Sequence, residues 1–139
     1  MFVTQNKVRM HDTDMAGILY FARQFRFVHD AIEDFSESEG LSFDDLFHKE
    51  HFVFVVVHAE ADYLAPLRVG DVLEVRLTIE SIGASSFTAF FQIFRIKDNL
   101  LVGTAKTVHV TLDRETRKKI PIPDSFRTIL AKHHAGVSG

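Results

Sequence analysis

Two hydrophobic periods divide the chain. Phe21, Phe25, Val28, Ile32 and Phe35 recur at spacings of 4, 3, 4 and 3, which predicts a long helix with all five side chains on one face. Gly40 follows as a C-terminal stop. From Phe52 onward the period is two. It is most regular over Val72 to Glu80, where Leu73, Val75, Leu77 and Ile79 alternate with Glu74, Arg76, Thr78 and Glu80. That is the pattern of an antiparallel strand with one wet face. Further strands are predicted over Phe52 to Leu64, Ser86 to Ile96 and Leu100 to Leu112, with turn residues at Gly70-Asp71, Gly83-Ala84-Ser85 and Lys97-Asp98-Asn99. A first strand, Phe2 to Met10, precedes the helix. Ser42 is the expected cap of a short helix reaching Lys49, and Asp124 of another reaching Lys132.

The order strand, long helix, four strands predicts an α+β fold, with one antiparallel sheet packed on one amphipathic helix. Phe90 and Phe94 oppose Phe87, Phe91 and Ile93 across one strand, so the sheet has a second apolar face that calls for another subunit. With no internal repeat, linker or low-complexity tract, residues 1–132 read as a single domain and 133–139 as a flexible C-terminal tail.

Composition narrows the function classes. The 139 residues carry a net charge of −3 and include no cysteine. This excludes disulfides and thiolate chemistry and favours a cytoplasmic location. No apolar run approaches the ~18 residues of a membrane span, the N-terminus lacks the pattern of a signal peptide, and no broad basic surface invites nucleic acid. Phe dominates the aromatics, 14 against 2 Tyr and no Trp, which suits a core, an apolar pocket or a subunit interface. G-x-S-x-G is absent, which argues against an α/β serine hydrolase. Of the eight His, His48 with His51, and His58 with Glu60 and Asp62, have spacings that suit a metal. Polar residues alternating along an antiparallel strand are more simply its less buried face, so no metal is expected.

The segment with chemical content runs from His11 through Asp12, Thr13, Asp14, Met15, Ala16 and Gly17 to Phe21. It sets two carboxylates and a glycine turn just ahead of the long helix. A helix N-terminus offers free N–H groups and the positive end of a dipole, which suit an oxygen gaining charge in acyl transfer. A carboxylate beside it can attack an acyl carbon or deprotonate a water that does. The plainer reading is that Asp12 or Asp14 only caps the helix.

This segment does not stand alone. His29-Asp30-Ala31-Ile32-Glu33, Val57-His58-Ala59-Glu60-Ala61-Asp62-Tyr63-Leu64-Ala65-Pro66 with Gly70-Asp71, and more weakly Lys118-Lys119-Ile120-Pro121-Ile122-Pro123 extend the pattern over nearly the whole chain. Together they resemble the 4-hydroxybenzoyl-CoA thioesterase family of hotdog proteins, above all the branch that includes 1,4-dihydroxy-2-naphthoyl-CoA hydrolases. The resemblance implies a hotdog fold, in which a five-stranded antiparallel sheet wraps around one long central helix. It implies hydrolysis of an acyl-CoA to free acid and CoA, with an aromatic or bulky apolar acyl group and no cofactor. Asp14 falls on the family's catalytic carboxylate, as nucleophile or general base. Asp12 shapes the turn, and Phe21 supplies the backbone N–H that polarises the thioester carbonyl. His29, and more weakly His58, fall at substrate-contact positions. The active site is expected between two subunits of a homo-oligomer, a dimer of dimers. Phe21 stands where the Tol-Pal-associated branch tends to carry His. The turn Ser81 to Ser86 lacks the cations that hold CoA phosphates in some relatives. That keeps acyl carrier protein open as the thiol carrier, and makes the cluster Arg114, Arg117, Lys118 and Lys119 a substitute for them. A non-catalytic acyl-binding module is the remaining alternative, and Asp14 argues against it.

Overall fold

The structure, a computed structural model, describes residues 1–14 and 16–135, Phe47 by its backbone alone. Five strands, β1 (Phe2–Lys7), β2 (Phe52–Tyr63), β3 (Val72–Ile82), β4 (Ser86–Arg95) and β5 (Leu100–Asp113), join three α-helices, α1 (Gln24–Ser38), α2 (Phe43–His48) and α3 (Asp124–Lys132). The strands form one sheet in the order β1-β3-β4-β5-β2, antiparallel throughout. The alternation read in β3 is the alternation observed: Leu73, Val75, Leu77 and Ile79 are at most 1% exposed. Phe87, Phe91 and Ile93 of β4 face the same core, closed by Phe27, Val28, Ala31 and Phe35 of α1 and by Phe126 and Leu130 of α3. Each of these side chains other than Ala31 contributes about 1.5–3 kcal/mol when withdrawn from water.

The helix differs from its prediction at the start. Phe27 and Ala31 lie at the centre of the buried face, whereas Phe25 is only partly buried and Phe21 is 60% exposed. The cause is local: residues Phe21–Arg23 form a 3₁₀ turn that leads into α1. Its three residues per turn rotate Phe21 off the face that an α-helical count assigns it. The other end is as expected. Gly40, at φ +81°, donates its N–H to Glu37 O, and Leu41 donates to Ser36 O, the paired bonds of a glycine C-cap. Ser42 caps α2 by accepting the Asp45 N–H at 3.1 Å, while Pro123, not Asp124, occupies the cap position of α3.

Two boundaries and the outer sheet face differ from expectation for identifiable reasons. β1 stops at Lys7 because the chain tightens into a 3₁₀ turn at Met10–Asp12, whose Asp12 carboxylate accepts the Arg9 N–H. The outward Phe90 and Phe94 are covered in part by neighbouring cations: the Arg76 guanidinium lies 4.1 Å from the Phe94 ring centre and the Lys106 ammonium 6.0 Å from that of Phe90. The tail expected to fray from His133 is fastened through Ala135. Ile79 donates to His133 O and accepts from the Ala135 N–H, both at 2.8 Å, and the His133 ring meets Glu39 at 2.9 Å. Residues 136–139 of that tail lie outside the described residues.

β2 is an edge strand. It enters the core through Phe52 and Val53, then leaves Val55, Val56 and Val57 exposed by 37%, 49% and 58%. Among the described residues no helix is long and apolar enough to cross a membrane. One antiparallel sheet folded over one long helix is the hotdog arrangement of the α+β class.

Candidate active site

Asp12 and Asp14 lie in a small hairpin that delivers the chain to α1. The Tyr20 N–H donates to Asp12 O at 2.9 Å, the Asp14 N–H to Ile18 O at 3.0 Å, and the Gly17 N–H closes the turn on Asp14 O at 3.0 Å. Gly17 adopts φ +76° there, a conformation costly for any residue with a Cβ. The returning arm is tied to the loop before β3, where the Leu19 N–H donates to Leu67 O at 2.7 Å. Turn and helix start are therefore held by backbone bonds.

The two carboxylates have opposite surroundings. Asp12 is fully buried. Its oxygens accept the Arg9 N–H at 2.8 Å, the Arg26 Nε–H at 2.7 Å and an Arg26 Nη2–H. Burial by itself pushes the Asp12 carboxyl up, but the hydrogen bonds from Arg26 and Arg9 outweigh it and hold the carboxyl below its ordinary value. Arg26 also reaches Asp30 Oδ2 at 2.9 Å. Asp12 is thus fixed inside the turn by these bonds. Asp14 is exposed, and its Oδ1 accepts the Ala16 N–H at 2.9 Å. Phe21 opens the helical stretch, so its N–H has no acceptor within the helix. Its ring packs edge-on against Tyr63 at 6.2 Å beside a shallow cavity of about 270 Å³ lined by Leu19, Tyr63 and Leu67. Partial burial raises the Tyr63 phenol above its ordinary value.

One buried amide sets the helix start relative to the sheet. Gln24 is 1% exposed, and its Nε2 donates to Asp62 O of β2 and Thr104 O of β5, each at 3.1 Å. The space it fills is provided by Gly103, where a Cβ would meet the Gln24 amide atoms at 2.7 and 2.8 Å.

A larger cavity, about 520 Å³, lies further along α1, away from Asp14. His29, Glu33, Phe43, Leu46, Phe54 and His109 contribute to its wall, which is otherwise apolar. His29 is exposed at its rim, 6.0 Å from the Phe43 ring. His58 lies outside both cavities on the open strand β2, just past a bulge, with its Nε2 4.0 Å from Glu60 Oε1. Among the described residues no three His, Asp or Glu side chains converge in a way that could hold a metal. The turn between β3 and β4, which has no cation in its own sequence, receives one from α3: Arg127 Nη2 donates to Gly83 O at 2.8 Å and Ala84 O at 3.2 Å.

Arg26, Gln24, His109 and Arg127 are the side chains that local pattern did not single out. His109 had the most visible signal. Thr107, His109 and Thr111 sit at the inward positions of β5, where β3 and β4 carry aliphatic and aromatic residues.

Known proteins share this fold. The family model of the thioesterase-like superfamily matches residues 8–130. A 1,4-dihydroxy-2-naphthoyl-CoA hydrolase of Synechocystis sp. is 34% identical over 129 residues, 93% of this chain and 94% of its own. Its counterpart from Nostoc punctiforme is 34% identical over 125 residues, 90% and 83%. The crystal structure of a 1,4-dihydroxy-2-naphthoyl-CoA thioesterase from Synechocystis matches with a TM-score of 0.86 at 34% identity, covering 94% of this chain and 95% of that one. A family match that begins just after β1 and runs into α3 spans most of the fold, and the chain belongs to the thioesterase-like superfamily.

Proposed function

We propose that this chain is an acyl-CoA thioesterase that hydrolyses an aromatic or bulky apolar acyl thioester to the free acid and CoA. The observation that carries the reading is the exposed Asp14 carboxylate, held in a backbone-bonded turn ahead of the Phe21 N–H, which has no partner among the described residues. The near full-length similarity to 1,4-dihydroxy-2-naphthoyl-CoA hydrolases supports the same chemistry.

In the reaction, Asp14 takes a proton from a water whose oxygen adds to the acyl carbon, or adds to that carbon itself and is then released by water. Either way the carbonyl oxygen gains charge and is met by the Phe21 N–H. The C–S bond breaks, and the sulfur leaves as the CoA thiolate, which takes up a proton. A thioester is already activated, so orientation, one carboxylate and one preorganised N–H suffice. His29 contacts the acyl group at the rim of the larger cavity, two helical turns, about 12 Å, beyond Phe21.

The site is shared between subunits. β2 leaves its outer row of backbone groups and Val55 to Val57 open, and an open apolar edge strand invites pairing with a second copy. His58 lies on this edge and belongs to the site through that contact. The dimer is the functional unit, and pairing of dimers gives the tetramer. CoA is the carrier favoured over acyl carrier protein, because Arg127 brings a guanidinium to the cation-free turn. The lack of cysteine fits the reducing cytoplasm. Thiol release from short, long and aromatic acyl-CoAs tests the reading: faster turnover of aromatic substrates is expected, and no hydrolysis of any CoA thioester would remove it.

A further inference from the structure

Among the described residues Arg26 hydrogen-bonds neither Asp14 nor the Phe21 N–H, yet it closes the stretch of chain that contains both. We propose that Arg26 is a positioning residue for the hydrolysis, fixing the Asp14 carboxylate and the Phe21 N–H relative to each other by binding that stretch back onto its own start. This rests on the thioesterase reading above.

The guanidinium is fully engaged. An arginine has five N–H donors in a rigid fork. Here Nε donates to Asp12 Oδ1 at 2.7 Å, and Nη2 donates to Asp12 Oδ2 and, at 2.9 Å, to Lys7 O. Nη1 donates to Asp30 Oδ2 at 2.9 Å and to Asn6 Oδ1 at 3.3 Å. The group also lies 4.8 Å from the centre of the Phe27 ring. One side chain of α1 thus ties the helix to the end of β1 and to the acidic hairpin. A lysine, with one compact ammonium, cannot span these acceptors.

What the pair encloses gives it a role in the reaction. Arg26 and Asp12 are 14 positions apart, and Asp14 and Phe21 both lie between them. A second bond repeats the closure inside the first, because Asp12 O accepts the Tyr20 N–H at 2.9 Å, one residue ahead of Phe21. Asp12 therefore holds the helix through its carboxylate and the approach to the helix through its carbonyl. Asp14 depends on that footing, since its carboxylate is held only by the Ala16 N–H of the same turn. Gln24 seats the helix start on β2 and β5 but does not bond the hairpin, which leaves Arg26 as the side-chain link between the two reacting groups. A displacement of about 1 Å in such a group can cost on the order of 100-fold in rate, and a bidentate arginine–carboxylate pair is well suited to prevent it. An ion pair serving stability alone has no need of this place in the chain. Lys132 and Glu39, 2.7 Å apart at the ends of α3 and α1, are such a pair.

The test compares Arg26→Lys, which keeps the charge and loses the fork, with Lys132→Ala, which breaks an ion pair away from the hairpin. On an aromatic acyl-CoA, Arg26→Lys is expected to lower kcat about tenfold or more while KM changes by less than about twofold. Lys132→Ala should unfold at lower urea yet keep the wild-type kcat. Amide hydrogen exchange in Arg26→Lys should quicken at Asp14, Gly17 and Tyr20 and hold its wild-type rates in β3. If Arg26→Lys fails to fold, the double variant Arg26→Met/Asp12→Asn, which leaves no buried charge unpaired, takes its place with the same expectation. A folded variant with wild-type kcat, or with its loss confined to KM, overturns the proposal. So does an equal fall in kcat for Lys132→Ala. A wild type that hydrolyses no acyl-CoA removes the thioesterase reading and this proposal with it, whereas an active wild type matched by its Arg26 variants removes the proposal alone.

Discussion

Asp12 and Asp14 are separated by one residue, but only Asp12 is buried. Replacing Asp14 by Asn keeps the turn bond to Ala16 and removes the base or nucleophile. A fall in kcat of at least about 100-fold is expected, with an unchanged circular dichroism spectrum. Asp12→Asn loses the charged bonds to Arg26 and Arg9 and should lower stability by about 2 kcal/mol in urea unfolding, with a smaller effect on kcat. His109 makes the protein acid-sensitive in a defined window. Its pKa is depressed on folding, from 6.5 to about 4, so its contribution is complete above pH 6.5 and fades as pH falls toward 4, by about 3 kcal/mol in all. Urea unfolding between pH 7 and pH 4 should show this loss in wild type and little of it in His109→Phe. Arg127 is set at the β3–β4 turn by two carbonyls. Arg127→Ala should raise KM for CoA thioesters several-fold and leave N-acetylcysteamine thioesters, which lack the nucleotide, unaffected; equal effects on both would sever Arg127 from CoA binding.

Elements were legible where the chain repeats one environment. The alternation of β3 survives in the fold because each of its inward residues meets the same core. The Gly40 stop and the Ser42 cap were legible because each acts through its immediate neighbours. What local pattern missed depends on distant partners. Nothing near Arg26 in sequence announces that it will clamp Asp12, and Gln24 reads as a surface residue until Gly103 is brought against it. The acidic turn itself became readable through resemblance, since spacing alone fits a simple cap equally well. The chain end is the clearest element-scale correction. Ile79 pairs with His133 and Ala135, while Glu39 holds Lys132 at 2.7 Å and His133 at 2.9 Å, so the ends of α1 and α3 are fastened together. Glu39 is held below the ordinary carboxyl value first by Lys132 and then by His133. Truncation after Lys132 should therefore lower stability by about 2 kcal/mol, measured as a shift in the urea midpoint.

For the whole molecule, the open edge of β2 is the decisive surface. Val56→Lys introduces a charge that opposes strand pairing. It should shift the proposed dimer or tetramer toward monomer in light scattering and reduce turnover with it; an active monomer would contradict the shared site. The outer sheet face makes a weaker case for assembly, because Arg76 and Lys106 already lie over Phe94 and Phe90. Gly103 carries a consequence of another kind. It lies in mid-sheet, outside the acidic hairpin, yet the start of α1 is seated by the Gln24 amide, which fits because β5 lacks a side chain at that point. Any side chain there would push Gln24 outward and disturb the start of α1, and with it the Phe21 N–H proposed as the oxyanion donor. The aim of the chemistry is thus inherited from a residue in mid-sheet, so a directed-evolution library confined to positions around the ligand would never sample the change that matters most for alignment.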